Sequence, residues 1–163
     1  MCFGRKLPTF LYNNGSFIDT NTEDIIMANV KELLKAEENG SLSFGDYSLT
    51  QKTKLDEFSF EGDVYKVKTF QEITRLEKNG GVVYESVPGS AVHGYKETER
   101  QIAFETEAAD DLQITLEVEP EKEYKVFVND TNIGKLKSSL GGKISFSIEL
   151  DAGETAKVQV VKL

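Results

Sequence analysis

Tryptophan is absent from this chain of 163 residues, and cysteine and histidine occur once each, as Cys2 and His93. Arginine is scarce too, limited to Arg5, Arg75 and Arg100. Each scarcity excludes something. A single cysteine makes no intramolecular bridge, so there is no disulfide framework. One histidine and one cysteine do not assemble the usual zinc ligand set. No apolar run approaches the roughly 20 residues of a membrane-spanning helix. Arg5 and Lys6 sit where a secretory peptide would need its apolar centre, so no signal peptide is expected. The sequence contains no Gly-x-x-x-x-Gly-Lys-Ser/Thr or Gly-x-Gly-x-x-Gly phosphate cradle and no Gly-x-Ser-x-Gly elbow. A chain this long buries roughly 70 % of its unfolded surface, enough to need neither disulfide nor metal.

Positive charge is also in deficit. The formal net charge is −9 and the pI about 4.7. Such a surface repels phosphate backbones, anionic membranes and polyanionic sugars unless a local basic patch overrides the whole. The composition fits a soluble, acidic, cytoplasmic protein.

What is abundant is alternation. Leu112, Ile114, Leu116 and Val118 alternate with polar residues, and so do Ile144, Phe146, Ile148 and Leu150. A period of two puts the apolar side chains on one face of a pleated strand. Tyr124–Val128 and Ile133–Lys137 flank a break at Asn129–Asn132, which is hairpin spacing. Val64–Phe70, Val82–Val87 and Gln101–Thr106 also read as strands, with Ile102 and Phe104 inward. Asn79–Gly80 is a strong hairpin signal and favours a strand over Gln71–Lys78. Lys52–Phe60 fits loop or helical turn, and Leu42, Phe44 and Tyr47 suggest a small hairpin around Gly45–Asp46.

One helix is expected. Thr20 and Glu23 have capping-box spacing, Ile26, Val30, Leu33 and Leu34 form an apolar stripe, and Asn39–Gly40 is a stop. The fold expected is mainly β (α+β): an antiparallel β-sandwich or paired sheets, with this amphipathic helix on a sheet face. Residues 1–26 read either as an extension that docks as a hairpin around Asn13–Gly15 or, if Met27 is the natural start, as non-native. Residues 27–98 hold the helix and hairpins, and 99–163 an antiparallel sandwich module sharing one fold with them.

No catalytic or metal constellation emerges, and no cofactor is expected. Asp110–Asp111, Asn129–Asp130 and Asp151 with Glu154 are carboxylate-bearing turns of the kind calcium uses, but acids also serve turns on their own account. Tyr47, Tyr65, Tyr84 and Tyr95 suggest a sugar-stacking platform. His93, in a segment read as a loop between strands, stands close to two of them. Tyr84, His93 and Tyr95 are therefore the candidate ligand-binding residues.

Gly45–Tyr47, Tyr65–Phe70, Glu72–Glu77, Tyr84–Gly89 and Gly141–Lys143 resemble segments of a family of small gut Firmicutes proteins labelled "endosialidase", over about 27–163. The label implies polysialic acid cleavage. Sialidases, however, use a larger propeller with an arginine cluster and an Asp-box tryptophan, and this chain lacks both. Residues 124–163 are similar to β-sandwich appendages of carbohydrate-active enzymes. Three readings follow: a non-catalytic binding or interaction module, self-associating through edge strands or holding a protein partner; a carbohydrate-binding module; and an acidic decoy of a nucleic-acid-binding protein.

Overall fold

The computed structural model describes residues 32–163, and all of their regular structure is β. Thirteen strands follow one another: β1 Leu34–Ala36, β2 Leu42–Phe44, β3 Thr53–Phe60, β4 Asp63–Phe70, β5 Ile73–Lys78, β6 Gly81–Val87, β7 Ala91–Glu97, β8 Gln101–Glu107, β9 Leu112–Glu117, β10 Glu123–Val128, β11 Thr131–Lys137, β12 Lys143–Ile148 and β13 Thr155–Lys162. They form two antiparallel sheets. The seven-stranded sheet runs β11-β10-β13-β8-β7-β2-β1, and the six-stranded sheet runs β12-β9-β6-β5-β4-β3. Among the described residues no helix is long and apolar enough to cross a membrane.

The alternation seen in the sequence becomes the buried interface of a sandwich. Leu112, Ile114 and Leu116 of β9 lie opposite Ile148, Phe146 and Ile144 of β12, and all six are buried. From the other sheet come Ile102, Phe104, Val126, Val158 and Val160. Aromatic rings join the layers: Tyr84 of β6 meets Phe44 at 5.3 Å and Phe104 at 5.5 Å, both edge-on. Such pairs add about 0.5–1.5 kcal/mol each beyond burial.

Tight turns close the hairpins. Glu61–Gly62, Asn79–Gly80 and Asn129–Asp130 each place two successive residues at positive φ, the geometry that matches strand twist. The strand preferred over residues 71–78 is β5, and the ambiguous 52–60 segment is β3. A bulge conceals β3 from alternation: Leu55 pairs with Val67 and Phe58 with Tyr65, with Glu57 at φ 57° between them.

Three expectations are corrected. The helix expected from Thr20 lies largely outside the described residues, but its apolar end does not: Leu34 begins β1, just after Leu33 at φ 67°. The small hairpin is not at Gly45–Asp46. It lies one turn earlier, where the Glu37 amide donates to the Ser41 carbonyl and β1 pairs with β2. Finally, the segment holding His93 is a strand, β7. The proposed extension 1–26 and its hairpin also lie outside the described residues.

Candidate functional site

Strand direction gives the sandwich two unlike ends. At one end the β2–β3, β4–β5 and β6–β7 connections meet, and they are locked together. Ser90 Oγ contacts Tyr84 Oη at 2.9 Å and Ser86 Oγ at 2.7 Å. Thr74 Oγ1 donates to the Ser90 carbonyl at 2.9 Å and lies 2.8 Å from Thr69 Oγ1, which accepts from the Asp46 amide at 3.0 Å. Nothing larger than glycine fits there: a Cβ on Gly89 would sit 2.0 Å from the Phe70 carbonyl oxygen, and one on Gly45 would sit 2.3 Å from that of Ser90. Nearby, Tyr47 donates to the Glu107 carboxylate at 3.1 Å. Burial, then the charge of Glu107, push that phenol up to about 12.

At the other end the turns stand apart and leave a cavity of about 440 Å³. It is walled by the β1–β2 turn (Glu38, Asn39), the β3–β4 turn (Glu61, Asp63) and the ends of β5 (Lys78) and β7 (Lys96, Glu97). Phe60, Tyr65, Val83 and Tyr95 also line it. A second cavity, of about 360 Å³, adjoins through Glu97 and includes Glu99, Arg100, Glu117 and Glu119.

Tyr95 is the informative residue. It is only 5 % exposed, and its hydroxyl has no hydrogen-bond partner among the described residues. A buried hydroxyl without a partner costs roughly 1–3 kcal/mol, so each such group calls for an explanation. Burial first, then the charge of Glu97, hold the Tyr95 phenol well above its ordinary value. Tyr65, from the opposite sheet, is raised by burial and then by Asp63, Glu97 and Glu61. Glu97 itself is raised: lost solvation leads, Lys78 opposes it, and Glu117 and Asp63 add to it. Negative charge at this end exceeds what the local cations balance. The cavity thus offers carboxylate acceptors, a free phenol and an apolar wall.

The residues singled out from the sequence do not come together. Tyr84 is fully buried in the aromatic core and bonded to Ser90. His93 and Tyr95 lie on opposite faces of one sheet. Gly94, at φ 68°, bulges β7 against β8, so that His93 stands across from Glu105 on the outer face while Tyr95 turns inward. His93 Nε2 is buried with no hydrogen-bond partner among the described residues and borders a separate outer-face cavity of about 310 Å³. A four-tyrosine platform is not formed, because Tyr65, Tyr84 and Tyr95 are buried. The acidic turns serve the backbone: Asp111 accepts from the Leu150 amide, Asn129 from Lys157 and Glu154 from Asp151. Among the described residues no three His, Cys, Asp or Glu side chains converge as metal ligands would. Of the three candidates, only Tyr95 reaches the open-end cavity. Its companions Glu61, Asp63, Lys78 and Glu97 had no sequence signal beyond being charged residues beside turns.

No protein-family model, curated protein or solved structure matches the chain.

Proposed function

We propose that the chain is a non-catalytic binding module that takes a small ligand in the cavity at the open end of the sandwich. One observation carries this reading: the buried, unpartnered hydroxyl of Tyr95 lines a polar cavity whose other groups come from five different strands or turns. Pockets that combine an apolar wall with a few convergent polar groups are the usual form of a ligand site. A cytoplasmic setting, expected from the acidic composition, belongs to the same proposal. The test is amide chemical-shift mapping of the full chain against a panel of sugars, amines and amino acids. Shifts confined to Glu61, Asp63, Lys78, Tyr95 and Glu97 are expected for a true ligand. A panel that leaves all five unmoved counts against the cavity.

Carbohydrate binding is a second reading, favoured by the Phe60–Tyr65 ring pair, 6.3 Å apart, beside these hydrogen-bonding groups. A glycan array without a binder above background removes it.

A further inference from the structure

We propose that the open-end cavity receives an aliphatic oligoamine, a ligand carrying two or more primary ammonium groups along a flexible chain; this rests on the reading of that cavity as the binding site. The two adjoining cavities collect seven carboxylates, of which only Asp63 (Lys78, 3.7 Å) and Glu119 (Lys162, 2.8 Å) have ion-pair partners among the described residues. Glu38, Glu61, Glu97, Glu99 and Glu117 have none. The one further lysine of the larger cavity, Lys96, reaches toward the Asn39 carbonyl at 3.4 Å rather than toward a carboxylate.

Unbalanced carboxylates alone would describe any acidic surface. Here a second feature points the same way. The Tyr95 oxygen is buried at the same cavity with lone pairs unused, and an ammonium group is a donor with no acceptor, so it matches a phenol ringed by carboxylates. The acids are also too dispersed for one ion, since no three converge as metal ligands among the described residues. Dispersed negative charge is neutralised by a chain with spaced positive charges. Phe60, Val83 and Tyr65 supply apolar surface for the methylenes between them. Lost solvation leads in raising the Glu97 carboxyl, Lys78 opposes the rise, and Glu117 and Asp63 add to it; a bound cation would offset the part that these acids supply.

Alkylammonium groups come from free oligoamines and from lysine side chains, and one titration separates these sources. Spermidine, a trilysine peptide and maltotriose are each titrated into the full chain, followed by calorimetry and amide chemical shifts. Spermidine is expected to bind, to move Glu61, Tyr95 and Glu97, and to weaken with added salt and below the carboxylate range. Glu97→Gln, its fold checked by its amide spectrum, should bind about fivefold more weakly, and Tyr95→Phe should also weaken binding. Trilysine binding more tightly at the same residues upholds the ammonium chemistry and names a peptide as its source. Spermidine shifts spread evenly over acidic residues everywhere overturn the inference. Maltotriose moving these residues while spermidine does not overturns it too, but leaves the binding-site reading standing. If none of the three ligands moves them, both fall.

Discussion

Tyr84 and Tyr95 stand in contact across the core, ring centroids 6.5 Å apart, and send their hydroxyls to opposite ends of the sandwich. Tyr84 reaches Ser90 in a closed network of hydroxyls and carbonyls. Tyr95 reaches a cavity and bonds to nothing among the described residues. Both phenols are raised by burial, but Ser90 opposes the rise at Tyr84 whereas Glu97 reinforces it at Tyr95. The difference teaches where stability is concentrated. One end pairs the hydroxyls of Thr69, Thr74, Tyr84, Ser86 and Ser90 and leaves no space for a Cβ at Gly45 or Gly89, although Thr106 Oγ1 is buried there without a partner among the described residues. The other forgoes hydrogen bonding and charge balance, the arrangement expected where a ligand completes the set.

The largest expected effect separates the ends by glycine. Gly89→Ala drives a Cβ into the Phe70 carbonyl and should cost more than about 3 kcal/mol or prevent folding, whereas Gly62→Ala, with nothing within 4 Å and φ +85°, should cost only about 1–2 kcal/mol. Urea denaturation of both variants checks this, and equal losses would break the contrast. Next, Ser90→Ala removes the hydroxyl partner of Tyr84 and one of the two partners of Ser86, which keeps the Pro88 carbonyl, and should cost about 1–3 kcal/mol.

A smaller effect should appear with pH at the open end. Glu97 is held above the ordinary glutamate range, so the folded chain binds that proton more tightly than the unfolded chain does. Its contribution to stability therefore falls as pH rises from the ordinary value through the raised one. Glu97→Gln should flatten that part of the profile and raise stability at neutral pH. Denaturation midpoints measured between pH 4 and 7 would show whether it does.

Much of the fold was legible because burial on one face imposes a period of two, and turns such as Asn79–Gly80 need residues that tolerate positive φ. What escaped were places where one extra residue resets the period. Val83 bulges β6, because Leu76 pairs with Tyr84 while Glu77 pairs with Val82, so Val83 and Tyr84 are both buried. Gly94 does the same in β7 and splits His93 from Tyr95. The helix expected from Thr20 to the Asn39–Gly40 stop showed the opposite limit, since an apolar stripe does not reveal that Leu34 pairs with Phe44. The site was least legible. It is assembled from turns dozens of residues apart, and a glutamate beside a hairpin turn looks the same whether it faces solvent or a cavity.

The most direct measurement compares two deletions of one oxygen atom each. Tyr84→Phe should destabilise the chain by about 1–2 kcal/mol in chemical denaturation, because it removes a buried hydrogen bond and leaves the Ser90 hydroxyl with Ser86 Oγ alone. Tyr95→Phe should leave stability unchanged or slightly increased, since the lost hydroxyl had no partner. A Tyr95→Phe loss as large as that of Tyr84→Phe would contradict the account, because that hydroxyl would then already be satisfied without a ligand.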